Sequence, residues 1–187
     1  MNAILDAKAL IRQTVQQRLA RWSPTARAAA DRELITLATD FLFRHWQPPA
    51  LVMAFVPLPD EPDIFPLLEK ILAAGYRLGL PVTADGGEMS AREITDCRSD
   101  LQTVGKFALV EPKPVCPSLA PSALDVVIVP GRAFTPAGVR LGRGGGCYDR
   151  FLPRTKARRL ALAYQNQIFS ALPADGHDQK VDEIFIA

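Results

Sequence analysis

LDVVIVP (124–130) is a run of apolar, mostly β-branched residues closed by a proline. It does not alternate between apolar and polar positions, so it reads as a strand buried on both faces rather than one with a wet side. LVMAFVP (51–57) and RRLALAY (158–164) have the same character. After the first of these, IFPLLEKILAAG carries apolar residues at helical spacing and stops at Gly75, with Asp63 placed to cap its start and Pro66 tolerable only in its first turn. YRLGLPV (76–82) then reads as another strand. Strand, helix and strand at this spacing form a βαβ unit, which requires a parallel pair joined by a right-handed crossover.

Around that unit the rest of the chain falls into place. Residues 3–22 predict an amphipathic helix with Leu10, Ile11, Val15 and Leu19 on its apolar side. Ser23-Pro24 restarts the chain as an N-cap followed by proline at the first helical position. A second helix runs to His45 with Leu34, Leu37, Phe41 and Leu42 facing inward, and Pro48-Pro49 ends it. The segment 84–124 is rich in Gly, Pro, Asp and Ser, with strands expected near 88–94 and 107–110. A short helix is expected from Gly146 to Leu152, and the apolar run EIFIA closes the chain. The alternation predicts a single α/β domain over 1–187: a three-layer, open, mostly parallel, Rossmann-like sheet with helices on both faces. Ligands of such sheets bind beyond the carboxyl ends of the strands, so the loops after 51–57, 124–130 and 158–164 are the places to look.

Composition narrows the function. The chain has 187 residues, 48% of them hydrophobic and 22% charged, as in ordinary globular proteins. A formal charge of +2 is too small to argue for nucleic acid. No run of eighteen apolar residues and no signal-peptide core occurs, so no membrane partner is expected. Three cysteines without a CxxC pair, and two histidines, fit neither a disulfide framework nor a structural zinc site. Reduced thiols suit the cytoplasm.

The strand at 124–130 leads into Arg140-Leu141-Gly142-Arg143-Gly144-Gly145-Gly146-Cys147-Tyr148-Asp149. Gly142, Gly144, Gly145 and Gly146 let the backbone come close to a ligand. Free N–H groups in such a loop form an anion nest, and the flanking Arg140 and Arg143 match phosphate oxygens. Asp149 supplies a carboxylate, the ligand type that magnesium prefers. The segment is no Walker A loop, because no GK[ST] closes it. Glycine runs alone are weak signals, and on these residues a flexible surface turn stays open beside phosphate binding.

RLGRGGGCYDRFL closely resembles the RLGRGGGYYDRFL signature of 5-formyltetrahydrofolate cyclo-ligases, also called methenyltetrahydrofolate synthetases. The likeness runs along the chain. VPGRAF resembles the family's VPGLAF, LALAYQNQ its Tyr-x-x-Gln segment, LVEPKP its Glu-Pro segment, and PADGHDQKVDEI its P-x-x-x-H-D-x-x-V-D ending. Lys8-x-x-x-Arg12 matches its opening helix, and LPDEPD sits where the family has an acidic loop. The resemblance implies ATP- and Mg2+-dependent closure of 5-formyltetrahydrofolate, polyglutamylated or not, to 5,10-methenyltetrahydrofolate, with ADP and phosphate released. It implies a small-molecule substrate and a monomer or weak homo-oligomer. A non-catalytic folate- or nucleotide-binding relative, or another phosphate-handling enzyme such as a sugar-phosphate isomerase or CoA-transferase, is the competing reading.

By the same resemblance Lys8, Arg12, Arg140, Gly142, Arg143, Gly144, Gly145, Gly146 and Tyr148 contact ATP. Arg143, Lys8 and Asp149 carry catalysis, and Asp149 and Asp178 hold magnesium, with Asp182 supporting Asp178. Phe55, Glu61, Phe107 and Tyr148 receive the folate, Glu61 holding the pterin N–H donors. His177 is expected to orient Asp178 or carry a proton. Four positions depart from the pattern: Cys147 stands for a tyrosine, Thr135 for an aspartate, Ala108 for a glycine, and Pro62 interrupts the acidic loop.

Overall fold

The computed structural model describes residues 3–105 and 108–187. Its centre is a seven-stranded sheet. The strands are Leu51–Met53 (β1), Arg77–Thr83 (β2), Met89–Ile94 (β3), Ser118–Leu119 (β6), Val126–Ile128 (β7), Arg158–Ala163 (β10) and Glu183–Ile186 (β11). Two ribbons stand apart from it: Leu101–Val104 (β4) with Leu109–Pro112 (β5), and Ala133–Phe134 (β8) with Arg140–Leu141 (β9). The sheet order is β11-β10-β7-β1-β2-β3-β6. β11, β10, β7, β1 and β2 run parallel, while β3 and β6 add an antiparallel edge.

The buried strands carry apolar side chains on both faces, as their sequences require. Val52, Val126, Ile128, Leu160 and Leu162 face one layer, formed by the helices Pro24–His45 (α2) and Phe65–Ala73 (α3). Met53, Val127, Val129, Ala161 and Ala163 face the other, where the five-residue helix Cys147–Phe151 (α4) and the turn Leu152–Arg154 lie. The helix Ala3–Ala20 (α1) covers neither face of the sheet. Its Val15, with Ile11 and Leu19, seats on Ala133 and Leu141 of the β8–β9 ribbon.

The order of the strands fixes where a ligand fits. From β1 the chain crosses through α3 to β2 on one side; β7, on the other side, begins the return towards β10 and β11. β1 and β7 therefore flank a topological switch point, and the loops leaving their carboxyl ends diverge to leave a crevice.

Several expectations shift. The apolar run 51–57 is a strand only to Met53, with one further bond from the Ala54 N–H to the Gly79 carbonyl, because Pro57 and Pro59 lack the donor that a ladder needs. The strand expected near 107–110 starts at Leu109 and pairs with β4 in a ribbon of its own. Leu10 is 63% exposed and Leu37 is also exposed: each is one step off the buried stripe set by Ile11 and Val15, or by Leu34 and Ala38. Ser23 caps α2 as predicted, accepting from the Ala26 N–H at 3.1 Å.

Candidate active site

The glycine-rich loop starts from a rigid base. The Leu141 carbonyl accepts from the Arg132 N–H at 2.7 Å, so β9 folds back beside the exit of β7. This returns the buried Arg140 side chain to the crevice, where Nη1 donates to the Pro130 carbonyl at 3.1 Å and Nη2 to Asp149 Oδ1 at 2.5 Å. Gly144 (φ +105°) and Gly146 (φ +67°) take backbone conformations that a side chain resists, and they turn the chain into α4. A helix of five residues adds little dipole, so attraction for an anion here rests on the loop's N–H groups and the arginines.

α1 reaches this loop from the side. Arg12 Nε donates to the Gly142 carbonyl at 2.8 Å. One turn earlier Lys8, only 5% exposed, bonds Asp178 at 2.6 Å and Asp175 at 2.8 Å. Burial works to lower its pKa, but the two carboxylates outweigh that and raise it, so Lys8 is charged. The Gln179 N–H donates to Asp149 Oδ1 at 3.1 Å, tying the 175–179 turn to the glycine loop. The structure thus brings Lys8, Arg12, Arg140, Asp149 and Asp178 together from three separate parts of the chain.

The loop after β1 closes the third side. Glu61 is buried; its Oε1 accepts from Arg143 Nε at 2.9 Å and its Oε2 from the Leu58 N–H at 3.0 Å. Asp60 pairs with Arg143 and also with Arg132. Behind the loop Arg27 donates to the Glu61 carbonyl at 2.6 Å and to Tyr164 Oη at 3.0 Å, and Tyr164 Oη donates to Asp31 at 2.5 Å.

Two clefts meet at Arg143. One, of about 520 Å³, is walled by Phe55, Pro57, Met89, Leu109 and Tyr148, and its polar end is formed by Glu61, Arg140, Arg143, Asp149 and the glycine loop at Gly142, Gly145 and Gly146. The other, of about 450 Å³, is polar and is lined by Arg12, Gln13, Gln16, Asp60, Arg132 and Arg143. The Tyr148 hydroxyl and Arg140 Nε are buried without a hydrogen-bond partner, and a buried polar atom left unpaired costs about 1–3 kcal/mol. Both are donors free to meet a ligand in the cleft. Burial also pushes the Tyr148 hydroxyl far above its ordinary pKa, so it stays a neutral donor.

Other expected residues are placed differently. Phe55 serves both as core and as cleft wall. Phe107 lies outside the described residues. Asp182 does not support Asp178; it accepts from the Arg159 N–H at 2.8 Å. His177 is exposed and engages Asp175 and Gln179 through its main chain. Thr135 closes the β8–β9 turn, its Oγ1 accepting from the Val139 N–H at 3.2 Å. Cys147 is half-buried beside the Gly145 carbonyl. Asp60, Arg132 and Asp175 were not singled out from sequence, although LPDEPD, VPGRAF and PADGHD contain them.

A family model described as the 5-formyltetrahydrofolate cyclo-ligase family matches residues 4–187. The chain belongs to that family. A 5-formyltetrahydrofolate cyclo-ligase of Mycolicibacterium smegmatis is 33% identical over 132 residues, covering 68% of each chain. One from Escherichia coli K12 is 32% identical over 139 residues, 70% of this chain and 76% of that one. The NMR structure of Aquifex aeolicus 5,10-methenyltetrahydrofolate synthetase superposes with a TM-score of 0.82 at 30% identity, covering 96% of this chain and 89% of that one.

Membership makes the chain one of a family of ligases and makes a folate-type small molecule its class of substrate. It also sharpens the metal question. Among the described residues no group of three or more His, Cys, Asp or Glu is gathered to hold a metal. Asp149 is engaged by Arg140 and Asp178 by Lys8, so each carboxylate already meets a cation of the chain's own. Magnesium asks for only one or two protein carboxylates and keeps several waters. No helix among the described residues is long and apolar enough to cross a membrane.

Proposed function

We propose that this protein closes 5-formyltetrahydrofolate to 5,10-methenyltetrahydrofolate while converting ATP to ADP and phosphate. The observation that carries the reading is the meeting of an apolar cleft and a cationic groove at one side chain, Arg143. A flat heterocycle fits between Phe55 and Tyr148, with Glu61 at its polar edge. A triphosphate fits against Lys8, Arg12, Arg140, Arg143 and the N–H groups of Gly142 to Gly146.

The chemistry follows from what the formyl group lacks. Its oxygen is a poor leaving group as it stands. In the proposed sequence that oxygen attacks the γ-phosphorus and ADP departs, leaving an iminium phosphate. Nitrogen-10 attacks the activated carbon, loses its proton, and phosphate leaves with the former formyl oxygen. Nothing here needs a protein nucleophile, so Cys147 has no covalent role. The chain's contribution is alignment and charge: Arg143 and Lys8 neutralise the transferring phosphoryl group, and Glu61 fixes the ring.

Three of the named cations face carboxylates of their own, Arg140 on Asp149, Lys8 on Asp175 and Asp178, Arg143 on Asp60 and Glu61, while Arg12 bonds the Gly142 carbonyl. A triphosphate adds negative charge to an already balanced set and needs a further cation. Asp149 and Asp178 are the residues to hold Mg2+, which when bound offsets that charge and polarises the phosphate oxygens. The three free cysteines fit a cytoplasmic setting.

The test is a coupled assay. Purified protein with Mg2+, ATP and 5-formyltetrahydrofolate is expected to form the methenyl product, followed by its near-ultraviolet absorbance, and equimolar ADP. Asp149→Asn is expected to stay folded and lose turnover by at least about 100-fold. Tight folate binding without product would indicate a non-catalytic relative, and no folate response at all a different phosphate enzyme.

A further inference from the structure

We propose that Asp60 and Arg132 are positioning residues that hold the Arg143 guanidinium at the junction of the two clefts, an inference that rests on the function proposed above. The Arg143 side chain is 40% exposed and long, and Glu61 engages only its Nε. A guanidinium held at one point still swings about its terminal bonds, and its rotamer freedom has to be removed if it is to meet a phosphoryl group in one place.

Asp60 supplies the second point. Its carboxylate takes the Nη side of Arg143, with Nη1 at 3.5 Å from Oδ2. Asp60 is itself 36% exposed on a loop between Pro59 and Pro62, too mobile a support unless it is anchored. Arg132 is that anchor. It is 5% exposed and pairs with Asp60 from below. Its N–H bonds the Leu141 carbonyl at 2.7 Å, and its own carbonyl accepts from Gln167 Nε2 at 3.3 Å. The ladder Arg132–Asp60–Arg143–Glu61 alternates in charge and runs from the polar groove to the apolar cleft. Burial acts to raise the Asp60 carboxyl, yet the two guanidiniums more than offset it and hold that carboxyl below the usual carboxylate range, so the ladder is ionised at neutral pH.

The test is a kinetic double-mutant cycle on the full chain with Arg132→Met, Asp60→Asn and both together, with KM and kcat measured for both substrates and thermal midpoints beside them. Each single variant is expected to lower kcat by between about 10- and 100-fold, with KM for either substrate changed far less. The double variant is expected to be no worse than Asp60→Asn alone, because the Arg132 guanidinium, although it borders the polar groove, is nearly buried and turned onto Asp60. Arg132→Lys, which keeps the charge, is expected to recover part of kcat; it also serves as the arm for the cycle if Arg132→Met fails to fold.

Unchanged kcat in Arg132→Met overturns the proposal, as do losses that multiply in the double variant. A kcat loss that merely follows the fall in thermal midpoint also overturns it, since that is all a structural ion pair gives. If the parent protein makes no methenyl product, the function proposed above fails. The ladder itself is then read by NMR, where the Arg143 Nε–H resonance is expected to be sharp in the parent and to shift or broaden in both Arg132→Met and Asp60→Asn; an unchanged resonance in either overturns it.

Discussion

Ala108 sits at φ +50° near the tip of the β4–β5 ribbon, on the rim of the apolar cleft. A left-handed alanine costs about 1–2 kcal/mol, whereas glycine there gives back roughly 0.4–1 kcal/mol through the freedom it adds to the unfolded chain. The strain is the larger effect, so Ala108→Gly is expected to stabilise the protein by about 0.5–1 kcal/mol, read as a rise in the urea midpoint at unchanged slope. An unchanged or lowered midpoint would show that the rim does not bear this strain. The departure at Thr135 is of another kind: its hydroxyl closes the β8–β9 turn, accepting from the Val139 N–H. Single side chains of this kind are where sequence says least. Lys8 and Asp178 match a motif, but that they bond each other, and that Asp60 and Arg132 join the same cluster, depends on loops meeting from distant parts of the chain.

At the scale of elements, α1 is the piece on which the nucleotide side of the proposed function depends. It carries Lys8 and Arg12, and it docks through the fully buried Val15 on Ala133 and Leu141. Val15→Ala removes two buried methyl groups and is expected to cost about 2 kcal/mol of stability. It is also expected to raise KM for ATP several-fold while KM for 5-formyltetrahydrofolate stays near that of the parent, checked by steady-state kinetics. Equal changes in both would mean that α1 serves the whole site. The central strands and the first three helices were legible because long runs of the right period dominate them: VVI and LALA are buried on two faces, and Ser23-Pro24 caps α2. The pairing of β5 with β4 and the β8–β9 ribbon were not, because β8 and β9 have two residues each and which strands pair is decided by what lies around them. The glycine loop was legible as a tight turn into a short helix, whereas its support by the Leu141 carbonyl and by Arg12 was not.

For the molecule as a whole, the sheet acts as a frame that opens at the switch point between β1 and β7 and lets loops from both halves converge there. One half contributes Glu61 and the apolar wall, the other the glycine loop, and the chain's two ends supply Lys8 and Asp178. In the proposed function, that convergence lets a phosphoryl group held against the glycine loop, where the two clefts meet, reach a formyl oxygen held in the apolar cleft. The most direct test follows the oxygen itself. With 5-formyltetrahydrofolate labelled by oxygen-18 in the formyl group, a single turnover with ATP and Mg2+ is expected to place one heavy oxygen in each inorganic phosphate released. Phosphate free of label, with the heavy oxygen recovered in water instead, would contradict transfer to the formyl oxygen and with it the role assigned to the junction at Arg143.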